Sequence, residues 1–198
     1  MAESVYGPWI LSGLKLGHFA GIIFGIGAAT LLDFIILRFV VLGRILPSVI
    51  RIVEFSSKFV TVGLVLLWLS GVGFFVYYGF YDPSKLSNPK LVAKVIIVGV
   101  LTVNAFFIHC FVLPQISEQL GRRLLDGLSQ LHCMLLLMIG TISVISWYVP
   151  LVLGIVSQLN NVAAERILAD YSMLVILVNL AIQTVMVIYL YGTNSQRG

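Results

Sequence analysis

The stretch Trp9-Ile-Leu-Ser-Gly13-Leu-Lys15-Leu-Gly17-His18-Phe-Ala-Gly21-Ile-Ile-Phe-Gly25-Ile-Gly-Ala28-Ala29, continuing through Asp33 to Leu42, decides the class of this chain. It holds nothing that breaks a helix. About 20 apolar residues already cross the hydrocarbon core, so a run this long is a membrane span that tilts or continues into the headgroup region. On a helical wheel at about 100° per residue, Gly21, Gly25, Ala29, Leu32 and Asp33 all fall within about 60° of His18. One face therefore carries an imidazole, a strip of small side chains and a carboxyl group. Small residues let a neighbouring helix approach closely, and the same strip can leave a slot for a flat ligand.

The rest of the chain has the same character. Of its 198 residues, 60% are hydrophobic and 10% charged, with a mean hydropathy of +1.06, against about 25% charged residues in soluble domains. This length suits a single transmembrane domain over 1–198, with short connections. The first apolar run exceeds a signal-peptide core and is preceded by Glu3 without Lys or Arg, so it is expected to stay in the mature protein. Hydropathy places five spans at about 9–42, 59–81, 91–113, 128–155 and 171–191, which predicts an all-α, five-helix transmembrane bundle. Gly43 to Lys58, with Pro47, Arg44, Arg51 and Glu54, reads as a short amphipathic interfacial helix. Pro114 is expected to close the third span.

Charge sets the expected orientation. Arg38, Arg44, Arg51, Lys58, Arg122, Arg123 and Arg197 fall on one side, and Lys85, Lys90 and Arg166 on the other. The positive-inside rule then puts the N-terminus outside and the C-terminus in the cytoplasm of a bacterial inner membrane crossed several times. The net charge of +4 is scattered over helix ends, which excludes a nucleic-acid footprint. The chain also lacks Gly-x-Ser-x-Gly, phosphate-loop, dinucleotide and His-Glu-x-x-His patterns.

All three histidines lie in spans, where ionisable residues are functional by default. His109 and His132 come from oppositely directed helices and are expected at similar depth, as axial ligands of one haem b on the cytoplasmic side. His18, about 13 Å inside its helix, is placed in the outer half with Lys94. That pair is expected to serve a second haem, if there are two. Alternatively, Lys94 snorkels to the headgroups. The dipeptides His109-Cys110 and His132-Cys133, with Met134, also compose a copper or zinc site for a transporter or chaperone. Adjacent helical residues differ by 100°, which counts against four of these ligands meeting one ion. In a third reading the histidines only bond between helices of an accessory subunit.

Polar residues elsewhere fit a lumen. Ser143, Ser146 and Pro150 lie near the His132 direction, and Thr102 near that of His109, so these hydroxyls are expected either to orient a cofactor or to bond across helices. Asn179 and Gln183 share a face as interhelical glue. Asp33 is expected to pair with Arg38 or a protonated histidine, and the tryptophans and tyrosines, among them Trp68, Trp147, Tyr189 and Tyr191, to form interfacial belts.

Leu14-Lys15-Leu16-Gly17-His18-Phe19-Ala20-Gly21 and Leu91-Val92-Ala93-Lys94-Val95-Ile96-Ile97-Val98 together resemble small bacterial membrane proteins of the copper-resistance D-like and HemJ-like group. That resemblance implies b-type haem at His18 and Lys94. HemJ-type protoporphyrinogen oxidases also carry Asn-Glu-x-Pro between later helices, where this chain has Gly121-Arg122-Arg123-Leu124-Leu125-Asp126. The reading that follows is a haem protein of electron transfer, small-substrate oxidation or redox or gas sensing. Its expected partners are the lipid bilayer, a redox protein or quinone-like molecule, and a second copy of the chain.

Overall fold

The computed structural model describes residues 7–41, 44–125 and 127–195, and the side chains of all of these except 40, 41 and 189–195. Arg197 and Asp126, with the side chains of Tyr189 and Tyr191, therefore lie outside the described residues. Five helices follow one another: α1 (Gly7–Val41), α2 (Pro47–Tyr81), α3 (Pro89–Glu118), α4 (Gln130–Ile155) and α5 (Ala164–Ser195). Each is long and apolar enough to cross a bilayer. The chain is thus an all-α multi-pass membrane protein, as its hydropathy requires.

Short 3₁₀ turns at Pro83–Ser87 and Ser157–Asn161 join α2 to α3 and α4 to α5 on one face of the bundle. On the opposite face the connections are laced together. The Ile45 amide donates to the Arg122 carbonyl at 2.9 Å, and the Gly121 amide donates to the Ile45 carbonyl at 2.8 Å. These two ends are called here the turn face and the bridge face. Gly121 sits at φ 77°, a conformation open to glycine at little cost.

Two expectations about helix ends are corrected. The segment before Lys58 is not a separate interfacial helix but the first turns of α2, which starts at Pro47. Proline is favoured at a first helical position because its missing N–H would have no partner there. Val49, Val53 and Ser56 are buried while Arg51, Glu54 and Lys58 stay exposed, so the amphipathic pattern belongs to the end of a span. Nor does Pro114 close α3. The helix widens into a π turn over Ile108–Val112, where the Leu113 amide donates to the Ile108 carbonyl, and continues to Glu118. The π turn absorbs the donor that proline lacks and carries His109 with it.

The helices group as a pair and a trio. α1 lies along α2, while α3, α4 and α5 pack on one another around Ala93, Ile97, Ile145, Leu153, Ile167 and Tyr171. The pair and trio meet at mid-depth. There a Cβ on Gly63 would lie 2.4 Å from the Gly25 nitrogen, and one on Gly25 would lie 2.2 Å from the Trp147 ring. Thr30 and Tyr148 add a hydroxyl–hydroxyl bond of 2.7 Å between α1 and α4. The small strip of α1 is therefore a helix-packing surface. The flat group seated on it is the indole of Trp147, which is buried rather than part of an interfacial belt.

Candidate functional site

The glycine waist separates two sets of polar residues. Asp33 follows His18 along α1 by the same 15 residues, turn face to bridge face, as His109 follows Lys94 along α3, and the two helices point the same way. His18 and Asp33 are roughly 22 Å apart along α1 at 1.5 Å per residue, and Lys94 and His109 are separated equally along α3. This repeated spacing was a signal in the sequence for two levels of chemistry.

On the turn-face side, the His18 Nδ1 lies 2.9 Å from the Ser70 hydroxyl of α2, and Phe74 meets the imidazole edge-on. The single Ser70 proton goes to the Leu66 carbonyl at 2.6 Å, so Ser70 accepts from His18 Nδ1–H. In the neutral ring the lone pair is then on Nε2, which is how a histidine prepared for a metal is held. Lys94 lies in the second turn of α3, toward the same end of the bundle. Its Nζ reaches to 3.8 Å from where a Cβ on Gly154 would stand. Lys94 is half-buried and finds no acceptor among the described residues, whereas Lys90, one turn earlier, is buried and donates to the Val156 carbonyl at 2.9 Å.

On the bridge-face side, a cavity of about 350 Å³ opens between the pair and the trio, with walls from all five helices. Its lining is mostly Leu, Ile and Val, interrupted by Asp33, Ser57, His109, Thr141 and Ser143. His109 Nδ1 lies 2.9 Å from the Ala105 carbonyl. A carbonyl only accepts, so Nδ1 carries the proton and Nε2 the lone pair. Thr141 donates to the Leu137 carbonyl at 2.8 Å, and Ser57 to that of Glu54, also at 2.8 Å. Asp33 and Ser143 make no hydrogen bond or ion pair among the described residues. The expected Asp33–Arg38 pair does not form, since Arg38 points away from the bundle and is exposed.

His109 lines this cavity and His132 does not. His132 is exposed at the start of α4, its Nδ1 2.6 Å from the hydroxyl of the helix-capping Ser129, and it is not part of the cavity wall. Cys110 is exposed and Cys133 buried, both as free thiols. Among the described residues no three His, Cys, Asp or Glu side chains gather closely enough to hold a metal ion. The copper or zinc set of His109, Cys110, His132, Cys133 and Met134 is therefore dispersed, for the geometric reason that adjacent helical residues point 100° apart.

Other polar residues serve the helices themselves. Thr102 is not in a lumen: it accepts from the Trp68 indole at 3.0 Å on an exposed side of the bundle and links α2 to α3. Ser146 bonds the Tyr171 hydroxyl at 2.8 Å, and Gln183 reaches Asn179 at 2.6 Å beside Thr141. The residues that spacing did not single out are Asp33 and Ser143 as joint occupants of one cavity wall.

Fold and site together define a multi-pass α-helical membrane protein with one polar cluster on each side of a tightly packed waist. No protein-family model, curated protein or solved structure matches the chain.

Proposed function

We propose that this protein binds b-type haem on the turn-face side of the waist, with His18 as an axial ligand and Lys94 beside it. It would work in electron transfer, oxidation of a small substrate, or redox or gas sensing. One observation carries the reading. An imidazole whose Nε2 lone pair is unclaimed lies toward the same end of the bundle as a half-buried lysine that finds no acceptor among the described residues.

The residues suit the group. Histidine is a common axial ligand of haem iron, and the bond from Nδ1–H to Ser70 fixes the ring and raises the basicity of Nε2. Lys94 would hold an acidic side group of the macrocycle or, as a neutral amine, act as a ligand itself. Bound haem supplies one-electron chemistry that no side chain offers. Phe74 limits rotation of the imidazole, and buried Trp147 fills the waist between this site and the cavity. The likeness of Leu14–Gly21 and Leu91–Val98 to the HemJ-like group supports the same pair. In this reading the membrane is a bacterial inner membrane, and the arginine-rich bridge face lies in the cytoplasm.

The test is an absorption spectrum of detergent-purified protein, oxidised and dithionite-reduced, with a pyridine haemochrome count per chain. A Soret band that shifts on reduction is expected. His18→Ala should remove it, Lys94→Met should weaken it severalfold, and His109→Ala should leave it. A flat spectrum from protein produced with ample haem overturns the proposal. So does a band lost in His109→Ala and kept in His18→Ala.

A further inference from the structure

We propose that the cavity on the bridge-face side is a binding site for a neutral, lipid-soluble hydroxyl compound of the phenol, quinol or alcohol class. Its polar atoms define that chemistry. Asp33 on α1, the Nε2 of His109 on α3 and the hydroxyl of Ser143 on α4 all border the space, and none has a partner among the described residues. Ser143 is only 5% exposed. Ser143 is buried, Asp33 half-buried and His109 exposed, and at membrane depth no bulk water satisfies such groups, so three that border one cavity from three helices call for a guest that brings hydrogen-bonding atoms.

The guest must bring donors. His109 Nε2 presents a lone pair, and the Asp33 carboxyl group presents acceptor oxygens. Ser143 both gives and receives, as does the Asp33 carboxyl group when it holds its proton. A hydroxyl head gives its one proton to His109 Nε2 or to Asp33 and accepts from Ser143, whereas an ether or a hydrocarbon leaves both acceptors bare. An anionic amphiphile would bring its own charge against Asp33. A metal ion would find a single carboxyl group and one imidazole, fewer than three ligands of the kind that hold such ions.

The walls define the rest. They are aliphatic side chains from all five helices, so the body of the guest is apolar. Leu37, Val144 and Ile182 both line the cavity and are exposed on the outside of the bundle, which places the cavity within reach of molecules dissolved in the bilayer. Gly140 keeps its side of the space open, since a Cβ built there meets nothing within 4 Å.

The experiment uses the full chain in phospholipid nanodiscs, with 4-hexylphenol as probe and 4-hexylanisole and hexanoate as controls, measured by calorimetry and equilibrium dialysis. One saturable phenol site per chain is expected, with the methyl ether about tenfold weaker or more, as befits loss of a hydrogen bond between buried groups. Hexanoate should not saturate. Ser143→Ala and Asp33→Asn should each weaken phenol about tenfold. Gly140→Leu, which fills the space, should abolish binding while the thermal unfolding midpoint stays near that of the unaltered protein. Equal affinity for phenol and ether, no saturable site, or full binding in Gly140→Leu overturns the proposal and leaves water as the cavity's occupant. His18→Ala should keep phenol binding, so the fate of the haem reading does not decide this one.

Discussion

The waist and the cavity are built from the same helices and differ in side-chain size. At the waist, Gly21 and Gly25 of α1 face Gly63 and Leu67 of α2, and the backbones approach until a methyl group no longer fits. About two turns further along α1, Leu32 and Ile36 separate the helices, and about 350 Å³ of space opens with Asp33 on its wall. In a bilayer, packing and not water-driven burial holds helices together, so small residues mark where they touch. Larger residues mark where something else can be accommodated.

The strongest way to break this contrast is Gly63→Val. Any Cβ at this position meets main-chain atoms of α1 at 2.4–2.8 Å, and backbone cannot step aside as a side chain can. The expected outcome is loss of the monodisperse, detergent-stable protein in size-exclusion chromatography, with at least about 3 kcal/mol of destabilisation. A paired substitution sharpens the comparison at smaller cost. Gly25→Ala presses on the Trp147 ring and should destabilise by about 1–3 kcal/mol, whereas Gly140→Ala beside the cavity meets nothing within 4 Å and should stay within about 1 kcal/mol of the parent. Thermal unfolding of the two variants in one detergent measures the difference, and equal losses would remove the distinction between waist and cavity.

The smallest effect lies outside the membrane. In the α2–α3 turn the Ser84 hydroxyl donates to the Asp82 carboxylate, and Lys85 pairs with it at 3.4 Å. The Ser84 bond, helped by Lys85, holds the Asp82 carboxyl below the usual carboxylate range. A lowered value stabilises the folded turn fully above the ordinary value of about 4, and that contribution disappears as pH falls through the lowered one. The turn is fully open to solvent, so only local change is expected. The amide protection factors of Lys85 and Leu86, taken relative to the intrinsic exchange rate at each pH, should fall at acid pH, and Asp82→Asn should abolish that change.

Span number and helical class were legible because membrane spans must satisfy their backbones internally and present apolar side chains all round. His18 and Lys94 were legible as polar residues at one depth on parallel helices. The surroundings of His109 and His132 were not legible, because depth says nothing about azimuth: His109 sits on a π turn that lines the cavity, while His132 bonds its own helix cap. Of the two roles open to Thr102, the structure shows the bond across helices, to Trp68. The Pro114 boundary failed because a π turn ahead of the proline removed the conflict that usually ends a helix.

By itself the sequence determined that this is a five-span membrane protein, where its small residues lie, and which levels hold ionisable groups, since hydropathy and helical rise are local properties. Only the tertiary structure decided that the glycine strip seats α2 and Trp147, and that Asp33, His109 and Ser143 share one cavity. Those outcomes depend on how each helix is rotated about its axis. In a uniformly apolar chain that rotation is set by packing between helices and leaves little trace in the pattern of any one of them.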